Sequence, residues 1–337
     1  MRELLLIFTL FAVLLLVLLP AVGRHIRNTN GAAELQHEDM TNVFDMETAD
    51  TLCESTPSDT IYPMKQPLYG EEQVLEVVCR DGVHTLTLEA YLRGILMAEL
   101  PYSFSDEAWK ALAVAARSYV LYRLEHGLPL SDDSTVCTAY LSDKEAMERF
   151  GEQYPALRRK SEMAVRATAR QVLMYDGEIC CAVFHAMSYG RTEDAAVVWG
   201  SEIAYLSSVT TPEEKSLDGL CTSVTMDARV FLSSLSLDEI SLYTTEKTES
   251  GRVECMTFCS STDSVTLSGT ELRRIFSLRS ANFAFSKNED GSVVFLVYGY
   301  GHGVGMSQWG AHLMAEAGYD YLQILLHYYQ NAECVTI

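Results

Sequence analysis

Basic residues are scarce in this chain. Across 337 residues it carries 25 Lys+Arg against 46 Asp+Glu, a formal net charge of −21. Nucleic acids are held by cations that neutralise phosphate, so a balance of this sign excludes nucleic acid as a partner. Paired-cysteine motifs are missing too. No Cys-x-x-Cys occurs, and Cys255 and Cys259, separated by Met-Thr-Phe, read as strand and not as a zinc knuckle. The nine cysteines (Cys53, Cys79, Cys137, Cys180, Cys181, Cys221, Cys255, Cys259, Cys334) form an odd set without a framework spacing, so at least one thiol is free or intermolecular. No glycine run has the Gly-x-Gly-x-x-Gly register and no Gly-Lys-Ser/Thr follows one, which removes the support for phosphate cradling. Without a Gly-x-Ser-x-Gly elbow, a Ser–His hydrolase built on Ser188 and His185 has no placed third partner.

A hydrophobic fraction of 48% supports a substantial core. Charge is absent from Leu4 to Val22, nineteen almost wholly apolar residues, long enough to span a bilayer as a helix. The competing reading is a cleaved signal peptide with its small-residue site at Ala21-Val22-Gly23, but the run exceeds the ~7–15 apolar residues such peptides carry. From Arg24 to Pro67 the sequence is polar, lacks either secondary-structure period and contains clusters such as Ser55-Thr56-Pro57-Ser58. The expected organisation is a transmembrane anchor over 1–23, a flexible linker over 24–67 and an extracytoplasmic body over 68–337.

The body opens on a strand at Gln73–Cys79, a turn at Arg80-Asp81-Gly82 and a second short strand, which together read as a hairpin. Two helices joined by Pro101 follow. In Leu88–Leu100, Leu92, Ile95 and Leu96 share one face, and Glu99 lies on it. Ser105 or Asp106 then caps a helix whose stripe is Trp109, Leu112, Ala113, Ala116 and Val120, and Gly127 ends it. Another helix leads into a strand over 158–176, and Val209 to Val297 alternates strands with one short helix, turning at Gly251-Arg252-Val253 and Asp290-Gly291-Ser292. A final helix runs from Ser307 to Ala317. The class is α+β, with mixed helices and antiparallel strands after the N-terminal transmembrane helix.

Glu99 is the sharpest chemical candidate. An apolar face and the negative end of a helix both disfavour a carboxylate, so its pKa is expected above the ordinary ~4.3, as a general acid near neutrality requires. The alternatives are neutralisation by a cation, Arg117 of the next helix, or simple exposure. Glycines 299, 301, 303 and 305 let backbone pass close to something large and flat, with His302 and Gln308 beside them to bond sugar hydroxyls or hold Glu99. A satisfied structural histidine is the alternative for His302. The segment His185–Glu193 reads as a strand end that turns at Gly190 and lines a cleft. Tyr102, Tyr119, Tyr189, Trp199 and Tyr205 lie near these clusters, where aromatic faces stack on pyranose rings or simply pack.

Three segments together resemble the stage II sporulation protein D (SpoIID) family of peptidoglycan lytic transglycosylases, whose domain also occurs in amidase enhancers. They are Tyr91-Leu92-Arg93-Gly94-Ile95-Leu96-Met97-Ala98-Glu99-Leu100-Pro101 running into Glu107–Tyr119; Ser188-Tyr189-Gly190-Arg191-Thr192-Glu193 with Trp199 and Tyr205-Leu206; and Gly299-Tyr300-Gly301-His302-Gly303-Val304-Gly305-Met306-Ser307-Gln308-Trp309-Gly310-Ala311. Gly269–Phe283 is a weaker fourth, and the likeness runs in order over residues 70–332. The resemblance implies that Glu99 protonates the glycosidic oxygen between N-acetylmuramic acid and N-acetylglucosamine, then takes the proton of the muramic 6-hydroxyl as that oxygen closes on C1. A 1,6-anhydro end results, and one carboxyl serves where hydrolases use two. The candidate substrate-binding set is Arg117, Ser188, Tyr189, Arg191, Thr192, His302, Ser307 and Gln308.

The same resemblance implies denuded glycan strands as substrate, septal wall remodelling and engulfment during sporulation as setting, and stage II sporulation proteins P and M as partners. It also implies a single-pass membrane location with the body outside. Two positions depart from the family. Tyr189 stands where many members have a second Gly. Relatives that bind zinc do so through Cys and His before a Cys-Gln-x-Tyr-like segment; here that stretch, Ser131–Tyr140, offers Cys137, with His126 upstream and Ser131 and Val136 where ligands are expected. Four ligands cannot be assembled from it alone, so no cofactor is expected to be required. A second class of function is a non-catalytic glycan-binding module that enhances an amidase.

Overall fold

The computed structural model describes residues 74–337, apart from 212, 213, 216 and 218–220. The expected anchor and linker, the Leu4–Val22 span included, lie outside the described residues. Among those residues no helix is long and apolar enough to cross a membrane. The architecture is α+β.

The strand Val74–Cys79 pairs antiparallel with Gly82–Thr87, and Leu130–Ser131 adds in parallel along the first strand's other edge. Alternation turns Leu75, Val77 and Cys79 inward. Helix α1, Leu88–Glu99, starts where Thr87 Oγ1 accepts from the Ala90 N–H at 3.2 Å. It stops because Leu100 precedes Pro101 and is extended, at φ −119° and ψ 135°. Helix α2, Asp106–Glu125, is apolar nearly all round, so it can only be central. It packs against α1, against the helices Tyr154–Ala167, Gln308–Glu316 and Tyr321–Tyr328, and against the strand Gln171–Tyr175. Its expected stripe, Trp109, Leu112, Ala113, Ala116 and Val120, is fully buried.

Helix α3, Asp143–Phe150, carries a capping box between Ser142 and Glu145 but buries only Ala146, so it has no apolar stripe to betray it in sequence. Helix α4, Tyr154–Ala167, begins ahead of the expected residue 158, with Pro155 in its first turn. The strand that follows, Gln171–Tyr175, lies between Glu178–Ile179 and Glu333–Thr336. A one-turn helix, α5, spans Ala195–Trp199.

A second hydrophobic cluster gathers Phe231, Met256, Phe258, Leu272, Phe283 and Phe295. It is built by two antiparallel sheets, Leu242–Lys247 with Val253–Cys259 and Ser264–Ser268, and Phe283–Lys287 with Val293–Tyr298 and Cys221–Met226. Two helices cover it, α6 (Ala228–Leu235) and α7 (Gly269–Ile275), where one was expected. Each has two turns or so, too few for a 3.6 period to stand out. The expected turns hold, with Gly251 at φ 88° and Gly291 at φ 86°.

The chain then returns to the first core. Met306–Ser307 pairs in parallel with Phe184–His185, and α8, Gln308–Glu316, grows from it. Helix α9, Tyr321–Tyr328, and the strand Glu333–Thr336 close the first core, past the residue where the sequence reading ended.

Gly94 fixes how α1 meets the loop ahead of α3. A Cβ there would stand 2.2 Å from the Tyr140 ring and 2.6 Å from the Leu141 carbonyl oxygen. In a Gly94→Ala protein the helix-propensity gain of about 1 kcal/mol is outweighed by an overlap costing about 1–3 kcal/mol, because the backbone oxygen cannot swing away. Urea unfolding is expected to show a net loss of up to about 2 kcal/mol.

Candidate active site

Glu99 is the last residue of α1 and is 6% exposed. Its Oε1 accepts from the backbone N–H of Ala139 at 3.1 Å, and its Oε2 accepts from Nε2 of Gln308 at 2.8 Å. Neither partner is charged. Burial pushes its pKa up to about 7, and the N–H bonds it accepts from Ala139 and, in this amide orientation, from Gln308 oppose that rise. Arg117 is not its partner.

Gln308 is placed by the residue before it. Ser307 is the N-cap of α8, accepting from Gly310 N–H at 3.1 Å, and its hydroxyl donates to Oε1 of Glu214. Glu214 is wholly buried and also accepts from the Tyr189 N–H at 2.5 Å and the Thr211 hydroxyl at 3.2 Å. Burial raises its pKa, against the pull of those donors. Two buried carboxyl groups are thus held by adjacent residues at one helix start. Glu214 was not among the sequence candidates, since it sits in a polar stretch, Thr210–Ser216, without periodicity.

The Ser188–Glu193 segment meets the same scaffold. Tyr189 has φ 64°, the left-handed conformation that favours glycine, which accounts for the Gly expected there in relatives. Ser188 donates to Nε2 of buried His185 at 2.7 Å, while Nδ1 of that ring donates to the Val304 carbonyl at 3.0 Å. A carbonyl cannot stabilise an imidazolium as a carboxylate does, Ser188 is wholly buried, and burial lowers the His185 pKa, so the pair is no hydrolytic dyad. Thr192 is spent on Val209, and Arg191 donates to Ser208 at 2.8 Å and pairs with Glu249 at 3.5 Å. His302 donates from Nε2 to the Phe184 carbonyl and accepts the Val304 N–H at Nδ1, each at 3.1 Å. Of the eight candidate binding residues, Gln308 is the one bonded to Glu99.

The alternate glycines serve the fold itself. Added Cβ atoms would meet the Met187 carbonyl at Gly299, the Arg252 guanidinium at Gly303 and the Val183 carbonyl at Gly305. The large flat neighbour expected from sequence is therefore internal. Arg252 reaches from the second cluster to the Ser188 and Arg191 carbonyls at 3.2 and 2.9 Å, a contact between segments too far apart for sequence reasoning to find. A small cleft bordered by Glu193, Arg252, Arg273 and His302 does not include Glu99.

Arg117, His126 and Cys137 have other partners in the fold. The Arg117 guanidinium is buried and used up: Nε and Nη2 donate to Glu89, and the remaining bonds go to the carbonyls of Ala113, Val165, Thr168 and Gln171. It anchors α2 to α1, α4 and the next strand, with no donor left over for substrate. His126 is exposed at the end of α2 and stacked on Tyr122, whereas Cys137 is buried beside the Tyr91 hydroxyl at 3.7 Å. They join no cluster of three metal-binding side chains among the described residues, so this pair does not fit a zinc site. The cluster that does exist there is Cys79, Asp81 and His84 on the first hairpin, with ligand atoms within 4.8 Å of one another. No disulfide joins any of the eight cysteines described.

The site is thus a buried acid held by two neutral N–H groups, in an α+β body stitched from distant segments. Residues 80–175 match the family model described as "Stage II sporulation protein". Stage II sporulation protein D of Bacillus amyloliquefaciens is 31% identical over 282 residues, 80% of this chain and 80% of that protein. Its counterpart in Bacillus subtilis (strain 168) is also 31% identical over 282 residues, 80% of this chain and 79% of the relative. An amidase enhancer of Bacillus subtilis (strain 168) is 26% identical over 291 residues, 71% of this chain and 39% of the enhancer. The chain belongs to the stage II sporulation protein D family.

The raised acid has a consequence for stability. Folded Glu99 holds its proton more tightly than the unfolded chain does, so stability is full below the ordinary value of 4.5 and declines as pH rises to about 7. Glu99→Gln removes that penalty. The variant is expected to be more stable than the parent at about pH 8, by up to ~3 kcal/mol, and no more stable near pH 4, as thermal unfolding at the two pH values will read.

Proposed function

We propose that this protein is a lytic transglycosylase that cleaves the bond between N-acetylmuramic acid and N-acetylglucosamine in peptidoglycan strands stripped of stem peptides, leaving 1,6-anhydromuramic ends. The observation that carries the reading is the Glu99 carboxyl, buried with no cation beside it among the described residues and poised near neutrality. As an acid it gives its proton to the glycosidic oxygen while the C1–O bond breaks. As a carboxylate it takes the proton of the muramic 6-hydroxyl, whose oxygen forms the new bond to C1. Nothing is added and water takes no part, so one carboxyl suffices. No cofactor is required.

The same reading sets the enzyme outside the cell membrane of a sporulating bacterium, held by the span Leu4–Val22. It would act in septal wall remodelling during engulfment, with stage II sporulation proteins P and M as partners. Likeness to an amidase enhancer supports a second reading, a glycan-binding module without chemistry of its own.

Mass spectrometry of digested denuded glycan separates these. Anhydro ends are expected, with Glu99→Gln slowing their release by about 10²–10⁴-fold. Water-added reducing ends reject the mechanism, and equal glycan binding with no release by parent and variant alike supports the module. Since the first step needs the protonated acid, kcat/KM is expected to fall about tenfold per pH unit above about 7.

A further inference from the structure

Both carboxyl oxygens of Glu99 face N–H donors, Ala139 at Oε1 and Gln308 at Oε2. That set suits a carboxylate, which only accepts. A carboxylic acid has a proton to donate, and neither partner as oriented can take it. The Ala139 N–H belongs to the backbone and cannot reverse. The Gln308 amide can, because a half-turn of its end group exchanges Oε1 and Nε2 without changing its shape. Gln308 is 1% exposed, and its Oε1 is buried with no hydrogen-bond partner among the described residues. Such a group calls for an explanation. An acceptor held in reserve beside an acid supplies one.

We propose that the Gln308 amide reverses with the proton state of Glu99, donating from Nε2 to the carboxylate and accepting at Oε1 from the acid's Oε2–H. The inference rests on the reading of Glu99 as both acid and base. It assigns the resting proton to Oε2, since Oε1 faces the donor that cannot turn. The Ser307 cap and its bond to Glu214 hold the Gln308 backbone, so only the amide need rotate. A residue that must be acid and then base gains from a partner that supports both states. A permanent cation would favour the carboxylate alone, and an apolar side chain neither. Gln308 acts here as a positioning residue, through Glu99.

Neutron diffraction on deuterium-exchanged crystals of the full chain tells nitrogen, oxygen and deuterium apart. At about pH 5, Oε1 of Gln308 is expected to face Glu99 with a deuteron between; at about pH 9, two units above the Glu99 midpoint, Nε2 is expected there. Nε2 facing Glu99 at both pH values overturns the proposal. Titration of the ¹³C-labelled Glu99 carboxyl in Gln308→Met gives a second readout. A partner that serves both states leaves the acid constant within about threefold when lost, whereas a fixed donor's loss lowers it about tenfold and overturns the proposal. Neither readout uses activity. Full transglycosylase activity in Glu99→Gln would sink the functional reading and leave the amide result standing.

Discussion

A carboxyl group taken out of water at the end of a helix, with no positive charge beside it among the described residues, sets the terms for the surrounding structure. Burial makes the charged form costly, and the Glu99 pKa climbs to about 7. The protein does not cancel that cost with a cation. It limits it with two neutral N–H donors, one from the loop behind Tyr140 and one from the start of α8. Had Arg117 been the partner, the acid would have stayed ionised through neutral pH. Arg117 is tied instead to Glu89 and the ends of neighbouring elements.

Holding Gln308 in reach of Glu99 requires the start of α8 to stay still, and contacts between segments far apart in the chain serve that end. Ser307 joins the parallel pairing with His185 and bonds to Glu214, which also grips the left-handed turn at Tyr189. Arg252 clamps the other side of that turn, in the space that Gly303 leaves by having no side chain. These contacts join residues 188–193, 214, 252 and 303–308 into one block. A buried polar block of this kind is rigid when its groups are satisfied. Among the described residues, two buried atoms of this block have no hydrogen-bond partner, Oε1 of Gln308 and Nε of Arg252.

Much of the fold was readable where apolar residues kept a period. The first hairpin, α1, α2 and the Cys255–Cys259 strand follow from alternation or a 3.6 repeat, since burying one face requires that repeat. Helices too short or too polar for a stripe, such as α3, left no such trace, and α9 lay past the last glycine-rich signal. Among the site residues, Glu99 was legible because an acid on an apolar face at a helix end is a local conflict, and Gln308 because it flanks the glycine run. Local sequence therefore determined the elements and the acid itself. Tertiary structure alone decided the rest: that Gln308 and Ala139 reach Glu99, that Glu214 and Arg252 support them, and that Arg117 turns away. Those outcomes depend on which distant donors and acceptors are brought within about 3 Å, a distance that periodicity along one element does not encode.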